Sequence, residues 1–286
     1  MMLEAAVNIA LFILGTAIGS FLNVLAFRFS EKSGFGPAMK GRSKCPHCSK
    51  VLTWSELVPI LSFLIQGGEC RGCKGRISLV YLTVEFLAGL IAVFVPIHLS
   101  FGVPALIWVL VLWTLLLISA IDLRLGLIPN GLVALVAALG GTLFAYRYFS
   151  GYFETFIGSK TASYIGHYYL TFSVGESVLI NHLLAIGFGL ALFGGVYLLS
   201  KGKAMGLGDV KLAGALGTLL VLPDMVLAVA LAFIVGSLAG IIMMKFGKLQ
   251  FKSSVPFGPF LAIGVTFVLF FGYDIVDAYF KLFGII

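Results

Sequence analysis

Val103-Pro-Ala-Leu-Ile-Trp-Val-Leu-Val-Leu-Trp-Thr-Leu-Leu-Leu-Ile-Ser-Ala-Ile121 runs nineteen residues without a charge, and Asp122 follows it directly. A helix of that length and apolarity crosses the hydrocarbon core of a bilayer, about 30 Å thick. A carboxylate at its end is costly unless something partners it, which makes Asp122 a functional candidate. The rest of the chain repeats the pattern. It is 60% hydrophobic and 11% charged, with a mean hydropathy of +1.10, values that exclude a soluble domain of this length. The expected fold is an all-α polytopic membrane protein with about eight transmembrane helices. They fall near 4–27, 79–97, 103–121, 127–149, 178–200, 208–222, 225–245 and 257–280. The first run has no basic n-region and no small-residue cleavage site, so it reads as a retained helix and not a removed signal peptide.

Placement of positive charge orients these spans. Arg28, Lys32, Lys40, Arg42, Lys44, Lys50, Arg71, Lys74 and Arg76 crowd one loop, which is therefore cytoplasmic. Alternating the spans from there puts 16 of the 19 Lys and Arg residues inside, all but Arg147, Lys160 and Lys281. The basicity reads as topology, and no nucleic-acid partner is expected, because the loop has few aromatics and no recognisable nucleic-acid motif. The same parity places Asp122 and Asp209 on one side. The 150–177 loop, rich in Tyr, Phe, Ser and Gly, would lie outside, and its aromatics suit the interfacial belt. Gly187, Gly189, Gly194, Gly195, Gly214, Gly217, Gly236 and Gly240 are spaced for close helix packing.

All four cysteines lie in the basic loop, as Cys45-Pro-His-Cys48 and, after 21 residues, Cys70-Arg-Gly-Cys73. Two C-x-x-C arms place four thiolates around one Zn²⁺. A redox pair is the rival, but it does not explain two matched arms. Four thiolates leave no open coordination position, so the metal is expected to be structural and His47 to be no ligand. Between the arms, Trp54, Glu56, Pro59 and the apolar 57–65 stretch suggest a re-entrant or interfacial helix.

Asp209 lies in Gly206-Leu-Gly208-Asp209-Val-Lys211, at the mouth of a helix whose macrodipole favours negative charge. Two carboxylates on one side of the membrane suit acid–base activation of a water, one held as anion and the other as acid. The bland readings are that Asp209 is an N-cap and that Asp122 pairs with Arg124 or Lys211.

These residues resemble the type IV prepilin peptidases, bifunctional leader peptidases and N-methyltransferases of bacterial inner membranes. The resemblance rests on Gly19-Ser-Phe-Leu-Asn23 with Arg28, the two cysteine arms, Trp54 with Pro59 and Ser62, Val84-Glu85 with Gly89, Asp122 with Pro129, Gly206-x-Gly-Asp-x-Lys211 and Phe257-Gly-Pro-Phe260. It spans the chain except the 150–177 loop. It implies an aspartyl pair at Asp122 and Asp209, supported by Gly206, Gly208 and Lys211. It implies prepilin-like precursors as substrates, cut after a Gly behind a short basic leader on the cytoplasmic face. It also implies methylation of the new N-terminus with S-adenosylmethionine as donor. One departure is Val80-Tyr81-Leu82, where family members often read Arg-Tyr-Pro.

The expected organisation is a first helix (1–27), a zinc loop associated with methyl transfer (28–78) and a peptidase core (79–286). Asn23 and Glu85 are the methyl-donor candidates, the polar groups left near the cytoplasmic ends of the first two spans. Asn23 would otherwise be polar glue between helices, and Glu85 an ion-pair partner of Arg28 or Arg76. The rival functions are a non-methylating G-x-G-D intramembrane protease and an ion-handling transporter.

Overall fold

The computed structural model describes all residues except 1, 33, 37, 38, 40, 151–162, 175, 176, 247–254, 285 and 286. Among the described residues it is helical, with isolated β-bridges at Ser30–Gly34, Lys44–Val51 and Glu69–Arg76. The helices are α1 (Met2–Arg28), α2 (Leu61–Ile65), α3 (Leu79–Leu99), α4 (Val103–Leu125), α5 (Asn130–Phe149), α6 (Tyr169–Phe172), α7 (Val178–Ser200), α8 (Leu207–Leu216), α9 (Leu222–Lys245) and α10 (Gly258–Leu282). Seven of these, all but α2, α6 and α8, are long and apolar enough to cross a membrane. The chain is a multi-pass membrane protein, and it divides into two compact units, Met1–Arg124 and Leu125–Ile286.

In the first unit α1 packs antiparallel against α3 through glycines. A Cβ at Gly15 would stand 2.6 Å from the Ala88 carbonyl oxygen, and one at Gly19 would stand 2.7 Å from the Glu85 Cα. Backbones this close exchange many small contacts that a larger residue would block. Gly19→Ala is therefore expected to destabilise the protein by about 1–3 kcal/mol, the usual cost of overpacking. Gly195→Ala, with open space around it, should leave the thermal midpoint unchanged. Equal midpoints for the two variants would contradict this packing. Ser78 caps α3 by accepting from the Val80 N–H at 3.3 Å. The Trp113 indole of α4 donates to the Ala88 carbonyl at 3.1 Å.

In the second unit Ser177 caps α7, accepting from the Ile180 N–H at 3.4 Å. Lys201 (φ 52) and Gly202 (φ 74) end that helix in left-handed conformations, and the Gly202 N–H returns to Tyr197 O at 2.9 Å. Tyr168 and Tyr169 are buried, and Tyr168 stacks on Phe280 at 5.1 Å. These two tyrosines of the 150–177 loop are thus packed inside the second unit. The loop's residues 151–162, 175 and 176 lie outside the described residues, as do Lys248 and Lys252.

The expected span over 208–222 is corrected. It is ten helical residues, α8, about 15 Å long and half the hydrocarbon thickness. Tight turns then carry the chain to Leu222, with the Thr218 hydroxyl donating back to Ala215 O at 2.7 Å. The stretch still runs the other way along α7. A Cβ at Gly189 would stand 2.8 Å from Ala213 O, one at Gly214 would meet Leu190, and His182 Nδ1 lies 3.3 Å from Gly217 O. It is thus a short helix followed by turns, packed antiparallel to α7. Gly189, Gly214 and Gly217 serve the close approach anticipated for them, whereas Gly187, Gly195 and Gly240 face open space.

The 57–65 stretch is likewise not one helix. Trp54–Glu56 forms a single 3-10 turn, Leu61–Ile65 forms α2, and Ile60 between them takes φ 62 and ψ −55. Trp54, Leu61, Leu64 and Ile65 are exposed.

Candidate functional site

The two cysteine arms fold as matched knuckles. In the first, the Cys45 N–H donates to Lys50 O and the Ser49 N–H to Cys45 O, each at 2.9 Å; in the second, the Cys70 N–H donates to Gly75 O and the Lys74 N–H to Cys70 O, again at 2.9 Å. The fourth residue after each leading cysteine takes the same left-handed turn, Ser49 and Lys74 both at φ 58. The four Sγ atoms all lie within 4.8 Å of one another, and those of Cys45 and Cys73 are 3.9 Å apart. A tetrahedral zinc with Zn–S bonds of ~2.3 Å needs sulfurs about 3.8 Å apart. The Gly72 N–H also points at Cys70 Sγ, at 3.4 Å. The donor set and its spacing therefore suit one tetrahedral metal ion. His47 Nε2 lies 3.3 Å from Arg76 O and is not part of the four-sulfur cluster.

Glu56 braces the first knuckle. Its Oε2 accepts from the Thr53 N–H and hydroxyl, both at 2.9 Å, and its Oε1 accepts from Lys50 Nζ at 3.0 Å. These bonds, led by the Thr53 N–H, hold the Glu56 carboxyl down at about 2.

Beside the knuckles, the first unit encloses a cavity of about 530 Å³. That is within the range of small-molecule sites. Its walls include Asn23 of α1, Tyr81 and Glu85 of α3, Glu56 and Gln66 of the loop, and Arg124 of α4. Both methyl-donor candidates thus line one cavity. Asn23 Nδ2 donates to Tyr81 O at 2.9 Å. Glu85 Oε2 accepts from the Ile60 N–H at 2.8 Å. Among the described residues Glu85 forms no ion pair with Arg28 or Arg76, and Arg28 donates to Gly41 O at 3.2 Å.

Asp122 is 4% exposed. It lies within the last turn of α4 and not beyond its end, because the helix continues to Leu125 before Gly126 turns the chain at φ 63. Its neighbour Arg124 donates to the carbonyls of Phe27 and Phe29. It thereby satisfies the open C-terminal end of α1, so its guanidinium serves the cap of another helix.

Asp209 is the third residue of α8 and not its N-cap, which is Gly206. Its Oδ2 accepts from the Gly206 N–H at 3.1 Å, the acidic half of a capping box. Its Oδ1 is buried and has no hydrogen-bond partner among the described residues. Capping therefore uses one oxygen and leaves the other unused, an arrangement that calls for a further explanation. A Cβ at Gly208 would stand 2.9 Å from the Ile128 Cβ, so glycine there lets the mouth of α8 approach the Ile128-Pro129 turn. Lys211 Nζ donates to Asn130 Oδ1 at 3.1 Å, which ties α8 to the start of α5.

Two family models match successive parts of the chain. The model of the bacterial peptidase A24 N-terminal domain matches residues 13–99, which hold Asn23, Glu85 and the four cysteines. That of the type IV leader peptidase family matches residues 108–241, which hold both aspartates. A prepilin leader peptidase/N-methyltransferase of Aeromonas hydrophila is 31% identical over 289 residues, covering 94% of this chain and 92% of the relative. The chain belongs to the type IV leader peptidase family. Another relative with the same name, from Stutzerimonas stutzeri, is 31% identical over 93% of this chain and 91% of its own. One from Bacillus subtilis is 28% identical over 95% and 97%. No solved structure matches the chain.

Some features of the site had no sequence signal. A β-branched residue at positive φ, such as Ile60, is not foreseeable from Pro59-Ile60. The carbonyl partners of Arg124 are 95 and 97 residues away in sequence. Glu56 was visible only as an acid between the cysteine arms.

Proposed function

We propose that this protein is a membrane aspartyl endopeptidase that removes the short basic leader of type IV prepilins and pilin-like precursors after a Gly. We propose also that it N-methylates the new N-terminal residue. The observation that carries the peptidase reading is the buried, unpartnered Oδ1 of Asp209 at the mouth of α8. Asp122 is the proposed second carboxylate. One member of the pair takes the proton of the attacking water while the other protonates the scissile carbonyl oxygen. Gly206, Gly208 and Lys211 support Asp209 by the contacts described above. The proposed orientation follows the basic loop. The loop and both aspartates face the cytoplasm, in the cytoplasmic (inner) membrane of a bacterium, with the lipid bilayer and the precursor as partners and no nucleic acid.

The proposed occupant of the four thiolates is a structural Zn²⁺. S-adenosylmethionine is the proposed methyl donor. It supplies a methyl group on a positive sulfur, and the cavity of the first unit fits it in size and in the unpaired buried acceptor of Asn23. Asn23 and Glu85 are the proposed methyl-transfer residues, with Glu85 supplying the negative charge that a cationic reactant requires. The methyl-transfer part then comprises α1, the 28–78 loop and the start of α3, with the aspartates in the remaining peptidase core. The cysteine knuckles and the shared name of the relatives disfavour both a non-methylating protease and a transporter.

The two chemistries should separate. Glu85→Gln is expected to lower methylation at least about tenfold, the value of a charge-assisted contact, with a smaller effect on cleavage. Mass spectrometry of the mature N-terminus reads both. Fully methylated product from Glu85→Gln would remove Glu85 from the methyl-transfer site.

A further inference from the structure

Two hydrogen-bond acceptors, Asn23 Oδ1 and the Glu85 carboxylate, line the cavity at the seam of α1 and α3, and the first of them lacks a donor among the described residues. Asn23 is 1% exposed. Its Nδ2 donates to Tyr81 O, which fixes the amide's orientation, since the reverse would set two oxygens against each other. Its Oδ1 is then left buried with no donor among the described residues. Gly19, one helical turn before Asn23, packs against the backbone of Glu85, and both side chains line the cavity. The Glu85 carboxylate receives the Ile60 N–H at 2.8 Å and the Ser20 hydroxyl, and about four lone-pair sites are available on such a group.

The Ile60 contact is held under strain. Ile60 sits at φ 62 and ψ −55, and the Leu61 N–H closes onto Pro59 O at 2.6 Å. This is a γ-turn, a rare conformation and an outlier for a β-branched side chain. Such strain persists where the surroundings over-determine it, commonly at a site of function. Here the turn aims one backbone donor at Glu85 and pins the carboxylate in the cavity wall.

What would complete the site must bring donors and positive charge. A sulfonium brings charge but no N–H, and would leave Asn23 Oδ1 unpaired. An ammonium brings three N–H donors and no acceptor. We propose that Asn23 Oδ1 and the Glu85 carboxylate form a binding site for a primary ammonium group. This rests on the methyl-transfer reading of the cavity, which offers two sources of that group. One is the free N-terminus of the cleaved substrate, and the other is the amino-acid end of the methyl donor.

Binding to the full-length protein in lipid nanodiscs tests this and separates the sources. The first arm compares a short apolar peptide bearing a free N-terminus with its N-acetylated form. The second compares S-adenosylmethionine with methylthioadenosine, which lacks the amino-acid end. In one arm the ammonium-bearing ligand should bind the wild type at least about tenfold more tightly, the value of a charge-assisted hydrogen bond. Glu85→Gln and Asn23→Leu should each abolish that preference. Glu85→Gln keeps an acceptor for the Ile60 N–H, and thermal unfolding run in parallel confirms that it is folded. Loss of the preference in the peptide arm assigns the site to the substrate, and loss in the nucleoside arm assigns it to the donor. If the wild type binds both ligand types and the variants keep every preference, the ammonium site is overturned and the methyl-transfer reading stands. If the wild type binds neither, that reading falls as well.

Discussion

Asp122→Asn and Asp209→Asn are each expected to cut leader removal by between a hundredfold and ten-thousandfold, about the contribution of a positioned acid or base. Asparagine keeps the size of the side chain and its carbonyl oxygen, so the Gly206 N–H retains an acceptor and α8 keeps its first turn. What asparagine removes is proton transfer. The contrast with Lys211→Met controls for structure. That change breaks the bond to Asn130 and should lower activity far less. The double variant Asp122→Asn, Asp209→Asn should be no slower than either single one, since residues that act as a unit are not additive. Leader removal by either single variant at near wild-type rate would rule out the pair.

Cys48→Ser should have the largest effect on structure. The two knuckles rest on short turns, two of them at positive φ, and bury little besides Cys45 and Cys70. Modules of this kind draw their folding energy from the metal, on the order of 10–16 kcal/mol for structural zinc sites. Elemental analysis of the wild type should find about one Zn²⁺ per chain, the number that one four-thiolate shell holds. In Cys48→Ser, metal content and thermal midpoint should fall together. Methylation should fall with them, because Cys45 and Cys70 also line the cavity. Full metal content after loss of two cysteines would contradict a four-thiolate shell.

What was legible in the sequence had a period or a fixed spacing. Seven of the eight apolar runs became long helices, because hydrocarbon length sets their extent. The C-x-x-C arms gave two knuckles because four side chains on two short turns converge with little freedom. Asn23 and Glu85, singled out as polar residues near the ends of two spans, do line one cavity. What was not legible depended on tertiary contact. Across residues 210–221, Gly217, the C-cap, is the local hint that the helix stops at Leu216, and within so apolar a run it is a weak one. The helix end follows from close approach to α7 at Gly217 and from the Thr218 hydroxyl turning back on Ala215. Arg124 reads locally as a partner for Asp122, two residues away, yet its donors go to the end of α1. Asp209 reads as an N-cap, but Gly206 holds that position and Asp209 returns Oδ2 to the Gly206 N–H from the third residue of the helix. The burial that leaves Oδ1 unpartnered belongs to the fold.

The most direct test is a mass measurement on one substrate. A precursor peptide with a short basic leader, a Gly and a following apolar segment is incubated with the purified protein, with and without S-adenosylmethionine. Without the donor, the mass should fall by the leader alone, through the Gly. With it, the product should be heavier by one methyl group at its new N-terminus. In the presence of the donor, Asp209→Asn should leave the precursor intact but still methylate a peptide supplied already cleaved. An uncut precursor with the wild type, or a cut at any other bond, would contradict the proposed function.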